Sequence, residues 1–357
     1  MGCGSLQAVC VRHAQARPTP SSQGIQRGEF DSGDDRDYGH PVSKPIRSTS
    51  LSACSSPSRA ATGSASEGTW PVLAAVATAT PNLFLTQKET YEFYEHQGLL
   101  PQAQRKLYAQ LLLDGPIEGR RFGLRRPEDI LDENPDTLID RFAEFGRQLS
   151  AEACRKVLSD GGIAAAEVGA IVTNTCTGYL CPGLSSYVAE DLALPGHVRP
   201  LDIMGMGCGA AIPNLQSGFS LLRSGLGQPV LCVATEICSA THFMGDEAGL
   251  TVSNCIFGDG AAATLLLPAG EGPVELRDFE SGLFPKHRDQ LRYEHEGGRL
   301  RNRLTRRVPI IGAECVEKVA GRILERNGLT PRDIQWWAVH AGGTAVLDQV
   351  AQRFALP

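Results

Sequence analysis

Apolar and polar positions change their spacing repeatedly along this chain, and each change marks a predicted element. "WPVLAAVATATP" (Trp70 to Pro81) is apolar almost throughout and predicts a buried strand. "TQKETYEFYEHQ" predicts a helix, as does "LIDRFAEFGRQLSAEACRKVLSDGG". In the latter, Leu138, Phe142, Phe145 and Leu149 recur at three- and four-residue steps, and Gly161-Gly162 supplies a stop. Strand "VGAIVTN", loop "TCTGYLCPG" and helix "LSSYVAEDLAL" follow. After them come strand "LDIM", helix "AIPNLQSGFSLLRSG" and strands "PVLCVAT" and "AAATLLLP". Beyond these, "PVELRDFES" predicts a strand, "VPIIGAECVEKVAGRILERNG" a helix and "IQWWAVHAGG" a strand. Alternating strands and helices, with central strands apolar on both faces, predict an α/β class with a mostly parallel sheet covered by helices. The grouping starts again near Pro273, which suggests two related halves, residues 69–270 and 271–357.

The first 68 residues break this rhythm. "PTPSSQG", "DSGDDRD" and "SSPSRAATGSASEG" have neither helix nor strand period, so the segment is expected to be a disordered, low-complexity extension. No positive region leads into an apolar one at the start, as a secretory signal requires. "MGCGSL" has Leu6 where a myristoylation site needs Ser or Thr. No apolar run approaches the ~20 residues of a membrane helix. The net charge is −6 with no basic block, which argues against a nucleic-acid partner. The 11 cysteines include no Cys-x-x-Cys pair and no zinc-like spacing with histidine. A reducing, cytoplasmic setting without a bound metal is expected.

Chemistry concentrates at "PLDIMGMGCGAAIPNLQSG" (Pro200 to Gly218). Glycines at 205, 207 and 209 permit a tight turn and clear the space beside Cys208. A thiol exposed there, with its amide heading a helix, would be drawn toward thiolate. The arrangement follows the nucleophile elbow of hydrolases with Cys for Ser. The plainer reading makes Cys208 a small buried hydrophobe, with the glycines allowing close helix packing. A second feature is His340, which ends the apolar run "WWAVHAGG", at a strand's carboxyl end where α/β proteins place their chemistry. A third is "NCIFGDGAAATLL" (Asn254 to Leu266), where Phe257 to Gly260 reads as a tight turn opening a strand.

Together "GMGCGAA", "ATEICSATHF", "IFGDGAAA", "GLFP" and "VHAGG" resemble, in order and spacing, the thiolase superfamily, and specifically type III polyketide synthases related to chalcone synthase. The resemblance runs from about Val72 to Pro357, and "GGRLRNRLTRRVP" resembles the bacterial alkylresorcinol and alkylpyrone branch. It implies a layered αβαβα fold of two related halves. It implies that Cys208 takes an acyl group from an acyl-CoA starter. Malonyl-CoA then loses CO₂, and its enolate attacks the thioester. His340 would pair with Cys208 and stabilise charge on the thioester oxygen. No cofactor is implied beyond the CoA thioesters themselves. By the same resemblance Phe257 gates the CoA tunnel, and Cys176, Thr177, Cys238 and Thr241 line the cavity. Cys181 would reach into the partner subunit of a homodimer. Small side chains at these positions suggest a roomy pocket for long acyl starters. Arg120 and Arg121 would meet CoA phosphates, or form a solvated basic pair.

Two departures stand beside the match. Asn302 falls near the second gating aromatic of the plant enzymes. The family's catalytic Asn lies some thirty residues beyond the histidine, whereas 17 residues follow His340 here and none is Asn. Three expectations follow. The chain is a truncated record of an active enzyme, with little activity and poor solubility as written. Alternatively it is a catalytically silent relative, or a condensing enzyme like ketoacyl-ACP synthase III that uses an acyl carrier protein.

Overall fold

The structure, a computed structural model, describes residues 5–13, 70–268 and 273–356. In chain order the elements are β1 (Ser5–His13), β2 (Val72–Ala79), β3 (Leu83–Thr86), α1 (Gln87–His96), α2 (Arg105–Leu112) and β4 (Gly119–Phe122). Next come α3 (Pro135–Gly161), β5 (Ala170–Thr175), α4 (Leu184–Asp191), β6 (Arg199–Met204), α5 (Ala211–Arg223) and β7 (Val230–Glu236). The chain continues through α6 (Ala248–Ile256), β8 (Gly260–Leu267), β9 (Val274–Leu283), β10 (Leu291–Glu296), β11 (Arg299–Leu304), α7 (Val308–Arg326) and α8 (Thr344–Phe354). All but a few described residues of the expected extension lie outside the described set. Those few, Ser5–His13, form a strand pairing antiparallel with β9.

Helix α3 shows why the pattern reading works. The Asn134 side chain caps its start by accepting from the Asp136 amide at 3.0 Å, and Pro135 fits the first turn, where no amide is needed. Gly162, at φ +64°, ends it in the left-handed conformation that glycine adopts freely. Leu138, Phe142, Leu149 and Val157 face inward from this helix. Phe142, Leu149 and Val157 pack with Ile171, Leu231, Val233 and Leu265 of the sheet. On the opposite sheet face Leu222 and Phe219 of α5 pack with Val172, Val230 and Leu266. The sheet is thus sandwiched, and β5 is buried along its whole length. Each such Leu or Ile side chain contributes about 1.5–3 kcal/mol by leaving water.

The seven strands are ordered β1-β9-β2-β8-β7-β5-β6. The expected mostly parallel sheet is corrected to a mixed one. β7, β5 and β6 are parallel to one another, and every other pairing is antiparallel. Crossover helices α4 and α5 return the chain to the starting edge and give parallel neighbours, whereas α6 leads into a reversed β8. Because β9 joins β2, the sheet continues across position 270. The predicted strand at "IQWWAVHAGG" is also corrected: residues 334–341 are irregular. Among the described residues no neighbouring strand offers this run a ladder, and an extended segment without one is not a strand.

Candidate active site

The three parallel strands deliver three cysteines to one end of the sheet. Cys176 follows β5, Cys208 follows β6 and Cys238 follows β7. Such carboxyl ends are where open α/β sheets present their chemistry, because the loops there diverge and leave a crevice. The three thiols are close enough for a charge on Cys208 to bear on both others.

Gly205 (φ +74°) and Gly207 (φ +58°) supply backbone angles that a side chain would strain, so the glycine turn does the work expected of it. Cys208 sits in a short 3₁₀ turn, Gly207–Gly209, that runs directly into α5. The helix is pinned to the sheet by Asn214, a buried residue not singled out above. Its Nδ2 donates to Val172 O at 3.1 Å, Val233 O at 2.9 Å and Asn174 Oδ1 at 2.8 Å. Gly218 lets α5 come close, since a side chain there would meet Cys232 Sγ at 2.7 Å.

Cys208 is half-buried and packs against Ile311, Cys315, Val319 and Val346. Burial pushes its thiol up, yet the net shift is downward, with the His340 side-chain hydrogen bond the foremost lowering influence. His340, on the irregular segment, thus lies within reach of the Cys208 thiol. Behind it, Gly342 donates its amide to His340 O at 2.9 Å. By contrast, the Cys176 and Cys238 thiols are raised well above an ordinary thiol, foremost by burial. Burial thus holds two thiols of the cluster protonated, whereas at the third His340 acts against it.

Glu236, at the end of β7, is the main group missed at the site. Its carboxylate accepts from the Cys176 amide at 3.0 Å and from Thr177 Oγ1 at 2.7 Å. Burial raises its pKa against these hydrogen bonds. Thr177 is corrected from a cavity wall to a buried brace, because its hydroxyl oxygen also accepts the Ile237 amide at 2.9 Å. Asp259 of the Phe257–Gly260 turn plays a similar part: it accepts from the Gly123 amide at 2.5 Å and the Ser239 amide at 2.9 Å. That turn does open a strand, β8, as expected.

Phe257, Cys238 and Thr241 line one small cavity, joined by Tyr293 of β10 and Asn302 of β11. Thr241 Oγ1 and the Tyr293 hydroxyl lie 3.1 Å apart. The cavity holds about 20 Å³, so the roomy pocket is corrected: Tyr293 enters from a hairpin the sequence reading did not place. Cys181 is exposed on the β5–α4 loop beside Tyr179, itself 70% exposed. Arg120 is corrected as a phosphate ligand. It is buried, and donates to Gln87 Oε1 at 3.0 Å, Asn254 O at 2.7 Å and Phe257 O at 2.8 Å. Arg121 is exposed and donates to Pro81 O at 3.1 Å. Among the described residues no group of three or more His, Cys, Asp or Glu could hold a metal, and no helix is long and apolar enough to cross a membrane.

A helix-covered mixed sheet that carries a turn-borne cysteine beside a histidine belongs to the thiolase-like class of folds. Residues 91–272 match the family described as FAE1/type III polyketide synthase-like protein. The 3,5-dihydroxyphenylacetyl-CoA synthase of Streptomyces toyocaensis is 32% identical over 80% of this chain and 75% of its own. An alpha-pyrone synthesis polyketide synthase-like protein of Mycobacterium tuberculosis is 28% identical over 80% of this chain and 75% of its own. The crystal structure of 1,3,6,8-tetrahydroxynaphthalene synthase from Streptomyces coelicolor superposes with a TM-score of 0.73 at 22% identity. It covers 80% of this chain and 82% of that one. The chain belongs to the type III polyketide synthase family, whose members matched here are polyketide-synthesising enzymes.

Proposed function

We propose that this chain is a malonyl-CoA-condensing acyltransferase in which Cys208 carries the growing acyl group. The Cys208 thiolate attacks the carbonyl of an acyl-CoA. A new C–S bond forms, the bond to CoA breaks, and CoA leaves as a thiol after taking up a proton. Malonyl-CoA then loses CO₂, and the resulting enolate carbon attacks the Cys208 thioester, which releases the Cys208 thiolate. His340 holds the thiolate and donates to the oxygen where charge develops. The observation that carries this reading is the position of Cys208, on a left-handed glycine turn at the head of α5 and within reach of His340, at the end of the sheet where β5, β6 and β7 converge. No cofactor enters the scheme, because the thioester and the lost CO₂ supply the driving force.

Phe257, Cys238 and Thr241 form the wall that the acyl group meets, with Cys176 beside it. The cavity they line holds about 20 Å³, too little for any acyl group as it stands, so the wall has to yield to a starter, and least to a short one. Arg121, the exposed arginine of the pair, meets a CoA phosphate. A homodimer fits the exposed edge strand β6, with Leu201 and Met204 uncovered, and the exposed Tyr179–Cys181 loop beside it. A cytoplasmic setting fits the CoA substrates.

The test is intact-mass spectrometry after incubation with acyl-CoAs of increasing length. One acyl group should appear on Cys208, fastest for short chains, and none on a Cys208→Ala variant. Acylation on another cysteine, or none at all, overturns the reading. Faster labelling by long chains restores the roomy pocket.

A further inference from the structure

Positive charge is left unbalanced at the neck of the β10–β11 hairpin. Lys286 and Arg288 lie on a short 3₁₀ turn, Pro285–Gln290, that leads into β10. Arg306 and Arg307 lie between β11 and α7, and Arg307 stands at the head of that helix. The hairpin closes these two stretches on each other: the Thr305 amide donates to Gln290 O at 2.9 Å, and the Thr305 hydroxyl to Gln290 Oε1 at 2.7 Å. All four basic residues are exposed, and among the described residues none of them pairs with a carboxylate. Every other arginine of residues 274–326 does. The nearby carboxylates are engaged elsewhere, Asp289 with Arg292 and both Glu314 and Glu317 with Arg353. In a chain of net charge −6, four uncompensated cations in one place mark a site for an anion.

The neck borders the surroundings of the nucleophile. Phe284 before the turn, Leu291 after it and Ile311 in the first turns of α7 belong to the apolar cluster that Cys208 packs against. A CoA thioester carries its reacting carbonyl at one end of the pantetheine arm and its phosphates at the other. Ligands for the phosphates therefore belong on the exposed rim of that cluster, where these cations lie. Guanidinium groups meet phosphate oxygens two at a time. A terminal phosphate is nearly dianionic and offers three acceptor oxygens, so several cations can share it. In CoA the terminal phosphate is the one on the 3′-oxygen of the adenosine. Ile310, three residues beyond Arg307 and 51% exposed, offers the adenine ring an apolar seat beside the charges. The positive end of the α7 dipole adds to the field at Arg307.

We propose that Lys286, Arg288, Arg306 and Arg307 form the site for the 3′-phosphate of the CoA thioesters. The proposal rests on the acyl-transfer reading above, which gives Arg121 one CoA phosphate and leaves the others without a partner. The four residues bind the carrier and take no part in the chemistry at Cys208. They let the chain prefer a 3′-phosphorylated carrier over one that lacks this group.

Calorimetry of the full chain with adenosine 3′,5′-bisphosphate and with AMP tests the site directly, since the two differ only in the 3′-phosphate. The bisphosphate should bind about tenfold more tightly at low salt, an advantage that high salt screens. An Arg306→Gln/Arg307→Gln chain should lose the preference, and a Lys286→Gln/Arg288→Gln chain should weaken it. No binding, equal affinity for the two nucleotides, or a preference untouched in both variants overturns the proposal. Binding of an acidic carrier protein that needs the arginines, with the nucleotides not told apart, also overturns it and points to a protein partner. Labelling of Cys208 separates this proposal from the reading it rests on. Acyl-CoA should label about tenfold faster than acyl-dephospho-CoA, whereas an acyl-N-acetylcysteamine, which has no phosphate, tests acyl transfer alone. If the acyl-N-acetylcysteamine labels Cys208 and the two CoA forms label it alike, the phosphate site is overturned and acyl transfer stands. If the nucleotide preference holds and no thioester labels Cys208, the phosphate site stands and acyl transfer is overturned.

Discussion

Cys208 and His340 meet at one site but are held there by opposite means. The cysteine follows a paired strand, turns on two left-handed glycines and enters a helix pinned to the sheet by Asn214. The histidine lies on residues 334–341, which have no ladder, beside Trp336 at 84% exposure. Its neighbour Trp337 is anchored by one aromatic contact, to Phe354 at 5.0 Å between ring centres. The nucleophile is therefore preorganised by long-range structure, whereas its partner is placed by local packing. Substitutions on the cysteine side should disturb folding and reactivity together. Those on the histidine side should disturb reactivity alone.

The largest effect is expected at Asn214. An Asn214→Ala change removes three buried hydrogen bonds and leaves Val172 O and Val233 O short of a donor. It should lower stability by about 2–4 kcal/mol, read as a drop in the denaturant midpoint. A change under about 0.5 kcal/mol would mean that the helix is held by its apolar face alone. Next comes Gly207→Ala, at φ +58°. It should cost about 1–2 kcal/mol of stability and slow iodoacetamide labelling of Cys208, because the strained turn relaxes and moves the thiol.

These two positions also show what the sequence makes legible. The glycine turn, the helix after it and the histidine stand out because each breaks or ends an apolar pattern. Asn214 and Glu236 carry a weaker signal: a polar residue on the inner face of an amphipathic helix, and a carboxylate closing an apolar strand. Their partners come from β5 and β7, distant in sequence, so the pattern marks them as odd without showing what they hold. The β10–β11 hairpin had a local signal, since Gly297-Gly298 at φ +59° and +78° joins two strands of alternating character. Missing it hid Tyr293, and with it the narrow cavity. Strand direction was not legible, because an apolar strand reads alike whether its neighbour runs with it or against it. Arg120 was misjudged for a related reason: adjacent arginines on a strand point to opposite faces, one inward and one to solvent.

His340→Ala should leave the denaturant midpoint within about 0.5 kcal/mol, as expected for an exposed side chain on an unpaired segment. Its effect belongs in the pH profile of Cys208 alkylation. The native thiol titrates below an ordinary cysteine, so labelling should already be fast near neutral pH. Removing His340 takes away the foremost interaction that favours the thiolate, so the midpoint should move upward and labelling at neutral pH should slow. A downward or absent shift would mean that His340 does not hold the thiolate.

The smallest effect is expected at Gly342, and it separates placement from chemistry. A methyl group there would lie 3.2 Å from His340 Cδ2, closer than ordinary contact, so the ring must yield by a few tenths of an ångström. Since the segment has no ladder to resist, Gly342→Ala should leave stability within about 0.5 kcal/mol and shift the alkylation midpoint upward by less than His340→Ala does. A shift as large as that of His340→Ala would show that the histidine is held as tightly as the cysteine, and the contrast between the two sides would fail.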